Sequence, residues 1–377
     1  MMDTDDFKKC FDGIEDFRQL GKVKHKLIDI IFIGVVASIA NANSFIEIGA
    51  FAEVKEEWLK KYIDLEYGVP SHDTIQRVFE HLDSKTFNRA FMDWTNKVSE
   101  HTEGRIIAID GKTVRGSIDG ERKPIHLVNA WVDENDLILG QLKTSEKSNE
   151  ITAIPELLDL LFLKDSIVTI DAMGTQKKIA EKIVNKKGDY VLALKGNHET
   201  FHKEVEDYMT EALKESFMDI KVSKKTTLEK GHGRIEKREY FQTNDIGWFS
   251  ERKLWKGLET IGMVRRTVTC KEKETIETSY YISSLEMPEE GECELFAKAV
   301  RKHWGVESCH WMLDVLFKED NSLVRKNNGA ENLSMLRKIA LNILKKEIPG
   351  QKKISKNMKR FKAGLDDKYL DLIVQNM

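Results

Sequence analysis

The stretch "RIIAIDGKTV", from Arg105 to Val114, is the part of the sequence that most clearly indicates the fold of the chain. It is a hydrophobic, β-rich run that contains Asp-Gly, and a second such run, "DSIVTIDAMG", carries Asp171 after its last isoleucine. Two strand-like segments follow the first run at hairpin spacing, and after them helices alternate with strands in the order β-β-β-α-β-α-β. This order predicts a mixed α/β sheet.

The strand predicted in each run ends in an acid, Asp110 in "IIAID" and Asp171 in "IVTID". Acids at strand ends of an α/β sheet lie where ligand sites usually form. Asp-Gly is also a common turn, so neither acid identifies a site by itself. The fact that both acids follow an Ile-rich strand favours a shared functional site over two unrelated turns.

The remaining regions differ clearly from this sheet pattern. Residues 1–100 have helical periodicity, and we predict that they form an N-terminal helical domain, a candidate for DNA binding. Residues 101–346 form the predicted sheet domain, with a β-rich insertion at about 221–285 that we expect to pack beside the sheet. Residues 347–377 form a basic C-terminal tail, which either contacts phosphates or is disordered.

Composition limits the class of protein. The chain has 377 residues and a formal net charge of −3, so only local basic patches can attract nucleic acid. Its four cysteines include no CxxC pair, which argues against a zinc knuckle or a disulfide framework. The longest apolar run, "LIDIIFIGVVASIANA", contains Asp29 and is short for a membrane span. These features predict a cytoplasmic protein.

A helix is predicted around "KHWGVESCHWMLDVLF", residues 302–317. At 100° per residue, His303, Glu307, His310 and Asp314 share one narrow polar stripe between two apolar flanks. One flank contains the two tryptophans, which we therefore expect to be core residues. The stripe supplies a third carboxylate beside the two strand-end acids.

Three ionised carboxylates need a cation to share one pocket. Oxygen ligands select hard ions, which predicts Mg²⁺ or Mn²⁺. Two such ions about 4 Å apart suit in-line phosphoryl transfer, because one activates the attacking oxygen and the other stabilises the leaving oxygen. The polar stripe is then explained by a metal site at the sheet edge.

The chain resembles a DDE transposase of the bacterial insertion-sequence class, specifically the H-repeat-associated proteins. The resemblance runs in order over nearly the whole chain, and its motifs include "GVPSHDTIQRVFEHLD", "IAIDGKTVRGS", "KSNEITAIPELL", "VTIDAMGTQKKIAEKI", "YVLALKGN", "GHGRIEKR" and "HWGVESCHWMLDVLFKED". It implies an RNase H-like core with Asp110, Asp171 and Glu307 as the metal-binding triad. It also implies an active complex, expected to be a homodimer, on double-stranded DNA at the ends of the element and at the target.

One departure from the wider group of related transposases concerns the last helix. That group has the spacing Y-x-x-R-x-x-x-E, with Lys seven residues after the Glu. Anchored on Glu307, these positions hold Val300, His303 and Asp314 in this chain. The DNA-contact roles of the replaced Tyr, Arg and Lys are therefore not assigned to residues of this chain. We expect His303, His310 and Asp314, which share the stripe with Glu307, to act around the metal ligands.

A rival motif is "HETFH", where His198, Glu199 and His202 satisfy the zinc-protease pattern H-E-x-x-H. On one helix the two histidines would share a face, with the glutamate as general base. The pattern directly follows the "KGN" turn and continues into "KEVED", which is typical of an exposed helix start. A further rival is a catalytically silent DNA-binding remnant of an insertion sequence.

Two other segments are candidates for DNA contact. "GHGRIEKREY" is either a DNA-contacting ribbon or a solvated hairpin, and its candidate residues are His232, Arg234 and Arg238. "GVPSHDTIQRVF" resembles the turn and second helix of a helix-turn-helix. Ser71 is then the N-cap, and Gln76 and Arg77 face outwards. A plain scaffold helix remains the alternative for this short pattern.

Overall fold

The computed structural model describes residues 4–99, 101–118, 123–144, 150–231, 233–271 and 273–377. Its helices in this part of the chain are α1 Thr4–Phe11, α2 Leu27–Ile39, α3 Phe45–Val54, α4 Glu56–Leu59, α5 His72–His81, α6 Ser84–Val98, α7 Glu150–Leu160, α8 Lys177–Asn185, α9 Glu199–Lys214, α10 Glu294–His303, α11 Gly305–Phe317, α12 Gly329–Lys345, α13 Lys356–Leu365 and α14 Asp367–Val374. Its strands are β1 Arg105–Thr113, β2 His126–Val132, β3 Leu137–Thr144, β4 Ser166–Ile170, β5 Asp189–Leu194, β6 Ser223–Gly231, β7 Arg234–Thr243, β8 Thr260–Cys270 and β9 Lys273–Ser283.

The chain divides into two units that are each built from separate segments. The first unit contains residues 1–100, 111–149 and 307–377, and the second contains residues 101–110 and 150–306. The chain therefore passes from the second unit into the first within β1, directly after Asp110. It does so again within α11, directly before Glu307.

The second unit is built on strands in the order β1-β4-β5-β9-β8-β7-β6. β1, β4 and β5 are parallel, with Ile109 paired to Ile170 and Ile170 paired to Leu192. Parallel strands that are covered on both faces read as continuous apolar runs, which explains the fully buried Ile106–Ile109 run in β1. The predicted mixed α/β sheet is confirmed.

The β-rich insertion differs from the prediction in how it joins the sheet. β9 pairs antiparallel with β5, from Val191 opposite Ser283 to Leu194 opposite Tyr280. β8, β7 and β6 then add to β9 in turn, each antiparallel to its neighbour. The insertion thus extends the sheet by strand pairing and does not pack beside it, because β5 would otherwise present an unpaired edge.

The first unit contains the N-terminal helical region, the β2–β3 hairpin and α12. α2 is buried on every face, as expected for a helix whose side chains are apolar all round. Burial of Asp29 near its start raises the pKa of that carboxyl group. α12 is likewise buried along almost its whole length and packs against α2, α5, α6 and β3. The predicted N-terminal helical region is confirmed.

Within the described ranges, each helix is too short or too polar to cross a membrane.

The basic C-terminal segment forms two packed helices, α13 and α14, so the disordered alternative is wrong for its described residues. Arg360 is fully buried and donates hydrogen bonds to the carbonyl oxygens of Ser38 and Leu316. These carbonyls lie in the last turns of α2 and α11, where helix geometry leaves oxygen acceptors without a partner. The guanidinium group, which also lies over the Phe317 ring, closes two helix ends at once.

We expect Arg360→Met to lower the free energy of unfolding by about 2 to 4 kcal/mol, because two buried carbonyl groups lose their donor. Urea denaturation at neutral pH measures the change. Lys352→Met is the matched control, since it removes an exposed cation from the same segment. Equal unfolding midpoints for the two variants would contradict the capping role of Arg360.

Candidate active site

Two aspartates directly follow the last paired residues of the neighbouring parallel strands β1 and β4 in the second unit. Asp171 follows the end of β4, but the prediction that Asp110 ends its strand is wrong, because β1 continues to Thr113. Ile109 and Ile170 are paired in register, and each is followed directly by an aspartate, Asp110 and Asp171. Neighbouring strands lie about 4.8 Å apart, and equivalent positions in register point to the same face of a sheet. Both residues are partly buried. The strand pairing therefore brings the two predicted acids together.

The Asp171 carboxylate is held by the turn that follows β4. Its Oδ1 accepts a hydrogen bond from the backbone N–H of Met173 at 3.0 Å, at the start of a short 3₁₀ turn. The turn needs a glycine at Gly174, because a Cβ there would lie 2.2 Å from the Ile170 side chain. The sequence "DAMG" thus fixes the backbone around the acid.

Lys195 is a residue that sequence reasoning missed. It directly follows β5, whose parallel pairing with β4 places its carboxyl end at the same sheet edge as Asp171. Its side chain is exposed, so a cation is presented at this edge. The sequence does carry a signal for it, since "YVLALK" is also a hydrophobic run that ends in a charged residue.

His303 lies at the end of α10, which packs on β4 and β5. Its Nδ1 is 3.0 Å from the Thr169 hydroxyl, two residues before Asp171. Burial lowers the pKa of His303 to about 4, although the charge of Asp171 acts in the opposite direction. The imidazole is therefore neutral at pH 7. The position that holds Arg in the wider group of transposases carries no positive charge here.

The single continuous helix predicted around residues 302–317 is wrong. α10 ends at His303 and α11 begins at Gly305, so His303 does not share a helical stripe with Glu307. The prediction that Trp304 and Trp311 are core residues is also wrong, since they are 55% and 62% exposed. The periodicity argument assumed that residues 302–317 form one helix with a single axis. That assumption fails because one helix ends and the next begins around Trp304.

The remaining stripe residues lie on α11 in the first unit. Glu307 is in the first turn and is exposed. His310 Nε2 lies 3.1 Å from the Asn129 amide nitrogen on β2, and burial lowers the pKa of His310 to about 3. Asp314 accepts a hydrogen bond from Lys112 Nζ at 2.7 Å. His310 and Asp314 are therefore both engaged with strands of their own unit.

The residues predicted to contact DNA on the β-ribbon fall into three situations. His232 lies outside the described residues. Arg238 is mostly buried and forms ion pairs with Glu236 and Glu229. Arg234 is exposed, and its nearest carboxylate, that of Glu236, is 3.9 Å away. Arg238 is thus already engaged within the protein.

The helix-turn-helix candidates also differ from each other. Ser71 Oγ accepts from the Thr74 backbone N–H, which confirms the predicted N-cap of α5. Gln76 does not simply face outwards, because it donates to the buried Glu80 at 2.7 Å. Arg77 is exposed. Of the pair, Arg77 has the more accessible side chain.

The zinc-protease motif does not assemble. His198 precedes α9 and is not within it, and its Nε2 contacts the Thr175 carbonyl oxygen. The ring of His202 packs edge-on against Tyr280. Across the described ranges, no group of three or more His, Cys, Asp or Glu side chains is arranged to hold a metal ion. The two histidines therefore have separate structural contacts.

Comparison with known proteins places these features in a family. The family model described as "Transposase DDE domain" matches residues 101–343, and "DDE_Tnp_1-associated" matches residues 8–95. The chain is 45% identical over 370 residues to "Putative transposase YncI" of Escherichia coli O157:H7, covering 96% of this chain and 92% of that protein. It is 39% identical to "H repeat-associated putative transposase YhhI" of Escherichia coli K12, and the match covers 95% of this chain and 94% of that protein.

The chain therefore belongs to the DDE transposases, and within them to the H-repeat-associated type. DDE transposases are polynucleotidyl transferases that act on DNA. A chain from the cryo-EM structure of the piggyBac transposase synaptic complex with hairpin DNA aligns with 98% of this chain and 81% of that one, at a TM-score of 0.48 and 12% identity. That likeness is too remote to bear on fold or function.

The lowered pKa of His310 predicts a loss of stability in acid. The folded state keeps this histidine neutral, whereas the unfolded chain takes up a proton as pH falls through about 6.5. The free energy of unfolding should therefore decline below pH 6.5. At pH 5, protonation of His310 in the unfolded chain alone should account for about 2 kcal/mol of this loss. Urea unfolding of wild type and His310→Gln at pH 7 and pH 5 measures it. Equal pH dependence in the two proteins would contradict the assignment.

Proposed function

We propose that the protein is a catalytically competent DNA transposase that cleaves DNA at the ends of an insertion sequence and joins the freed 3′-OH to target DNA. The adjacent carboxylates of Asp110 and Asp171, set side by side by strand pairing, carry this proposal. Both reactions are phosphoryl transfers, with water as the nucleophile in the first and a 3′-OH in the second. The proposed substrate is double-stranded DNA, the proposed location of the protein is the cytoplasm, and the proposed active assembly is a homodimer.

An RNase H-like arrangement is the proposed architecture of the catalytic core. Three consecutive strands are followed by α7, β4, α8 and β5 in chain order. β2 and β3 form an antiparallel hairpin, whereas β1, β4 and β5 are parallel. This combination of order and strand direction supports the proposal. Asp171 follows the carboxyl end of β4, where sites in α/β folds form, and Asp110 is its neighbour on the adjoining strand β1.

Glu307 is the proposed third acid because it stands at the position that matches the family's Glu in "HWGVESCHWMLDVLF". It lies in the first turn of α11 and its side chain is exposed.

Asp110, Asp171 and Glu307 offer only carboxylate oxygens, a donor chemistry that suits Mg²⁺ or Mn²⁺. Since no group of three acids or histidines in the described ranges is already assembled for a metal ion, the proposal rests on this donor chemistry. Two such ions, when bound, would supply activation of the attacking oxygen and stabilisation of the leaving oxygen. The chain contributes the rest: His303 stays neutral, so it does not repel cations at the carboxylates. Lys195 presents a positive charge at the same sheet edge, where it can hold a phosphate of the DNA.

DNA is held mainly by cations away from the acids in this proposal. Arg77 and Arg234 are the favoured contacts because both side chains are exposed. Gln76 and Arg238 are weaker candidates, since each already has a partner within the protein. Such phosphate contacts supply affinity and orientation without touching the reacting atoms.

The central test separates binding from chemistry. Duplexes covering the genomic DNA on both sides of the reading frame are incubated with protein and Mg²⁺ or Mn²⁺. We expect cleavage in either metal, and loss of cleavage in EDTA or when Zn²⁺ is the sole metal. We expect no detectable DNA cleavage by Asp110→Asn or Asp171→Asn. Both variants should bind DNA as tightly as wild type or slightly more tightly, because one carboxylate fewer repels the DNA phosphates.

Two outcomes would contradict this proposal. Cleavage that continues in EDTA would exclude the metal site. Binding without cleavage by the wild-type protein in every metal would identify the silent DNA-binding remnant instead.

Glu307→Gln beside Asp314→Asn tests the third acid. Asp314 is seven residues further along α11, about 10 Å at 1.5 Å per residue, and it is paired with Lys112. With saturating Mn²⁺ we expect no detectable cleavage from Glu307→Gln. Asp314→Asn should retain cleavage reduced about 10- to 100-fold, as is typical for groups that orient metal ligands. The reverse order would show that Asp314 is the ligand.

A further inference from the structure

A cavity of about 510 Å³ lies within the first unit, where α12 ends and α13 begins. The last turn of α12, the segment that joins the two helices and the first turn of α13 form most of its wall. Five lysines line it: Lys345, Lys352, Lys353, Lys356 and Lys359. Among the described residues of the wall only two are acids, so five positive and two negative charges leave a formal charge of +3. The cavity is therefore basic in a chain whose overall formal charge is −3.

The two acids, Asp136 and Glu347, neutralise part of this charge. Lys345 Nζ lies 2.9 Å from Asp136 Oδ1, and the side chain of this lysine is only 2% exposed. Lys353 Nζ lies 2.7 Å from Glu347 Oε1, but both side chains are mostly exposed, and water and salt weaken such pairs. Lys353 is therefore available to an external anion, whereas Lys345 is committed to Asp136.

Lys352 and Lys356 have still less compensation. Among the described residues, Lys352 forms no ion pair, and its side chain is exposed. Lys356 Nζ is 3.9 Å from Asp136 Oδ2, at the outer limit of an ion pair. Lys356 also lies in the first turn of α13, which carries no acid. Peptide dipoles make that end of a helix partly positive, so a cation there is unfavourable until an anion binds beside it.

The segment that carries these lysines is held by contacts within its own unit. Ile348 is buried, and so is Lys359. The Nζ of Lys359 donates to the carbonyl oxygens of Leu344 and Lys346, which closes the end of α12. Ser355 Oγ accepts a backbone N–H at 3.2 Å and caps α13. An ordered segment thus presents the accessible lysines, which reduces the entropy lost when a ligand binds.

We propose that this cavity, the α12–α13 cavity, binds phosphate groups of the DNA backbone. Lysine binds phosphate as a point charge and without regard to base sequence. Lys352, Lys353 and Lys356 follow one another closely in the chain and are at least partly exposed, so they can contact successive phosphates of one strand. The inference rests on the proposed function in taking DNA as the partner. It requires neither a metal ion nor cleavage.

The first experiment measures DNA binding by the full-length protein in EDTA. Fluorescence anisotropy of a labelled duplex is recorded at several salt concentrations for wild type and for the triple variant Lys352→Gln/Lys353→Gln/Lys356→Gln. Each phosphate contact on B-DNA contributes about 0.9 to the slope of log affinity against log salt concentration. We expect the triple variant to lose about 2 to 3 from this slope and to bind about 100-fold more weakly at about 0.1 M salt.

Stability separates a binding role from a structural one. The triple variant removes accessible cations, one of them from the positive end of α13, so its urea midpoint should equal that of wild type or lie slightly above it. A midpoint well below that of wild type would show that the lysines stabilise the fold, and it would overturn the binding role.

The matched control removes the same total charge from scattered positions of the first unit. Lys24→Gln/Lys85→Gln/Lys326→Gln changes three exposed lysines that lie outside the cavity wall. This control should keep a DNA affinity close to that of wild type. Equal losses in the two triple variants would show that net charge, and not the cavity, controls binding.

A second experiment locates the ligand and identifies its source. Lysines of the wild-type protein are acetylated in the presence and absence of duplex DNA, and the modified positions are measured by mass spectrometry. DNA should protect Lys352, Lys353 and Lys356. Inorganic phosphate, added at the same phosphate concentration, should not protect them. Equal protection by inorganic phosphate would identify a site for free phosphate and overturn the assignment to DNA.

The outcomes also separate this inference from the proposed function. Wild-type affinity and salt dependence in the cavity variant would overturn the assignment of the cavity and leave the proposed transposase activity standing. Wild-type protein that binds no duplex at low salt would overturn both.

Discussion

The parallel pairing of β1 with β4 is the constraint on which the candidate site depends. In-register pairing of Ile109 with Ile170 makes the next residue on each strand a neighbour of the other, and both are aspartates. Apolar burial keeps the two strands in place, since the Ile106–Ile109 run of β1 is fully buried. Moving one strand by a single residue would turn one carboxylate to the opposite face. The spacing of two acids is thus fixed by the hydrophobic core.

The two aspartates could be predicted because each directly follows a hydrophobic run and both features are local in sequence, although β1 continues past Asp110 to Thr113. The same holds for Ser71, whose capping role depends on residues three positions away. The break at Trp304 could not be found this way, because helical periodicity assumes a single axis through the stretch. Exposure of Trp311 was likewise beyond reach, since it depends on which face of α11 the rest of its unit covers.

Buried cations were the other feature hidden from the sequence. Lys112, Lys359 and Arg360 look like surface residues in composition, yet each is buried and donates hydrogen bonds to groups within the protein. Their partners lie 13 to more than 300 residues away in sequence. A count of basic residues therefore overstates the charge available to DNA. The basic C-terminal segment illustrates this, because Arg360 closes helix ends inside the first unit.

The segmented layout of the chain has a consequence for how the protein can be divided. Each unit is assembled from pieces that alternate along the sequence, and two of the four crossing points fall directly after Asp110 and directly before Glu307. No uninterrupted fragment contains one unit alone. A piece spanning residues 101–306 would carry the β2–β3 hairpin without α12, which covers it in the intact chain. Gene truncation or fusion at these points would separate the proposed acids from the segments that complete their folds.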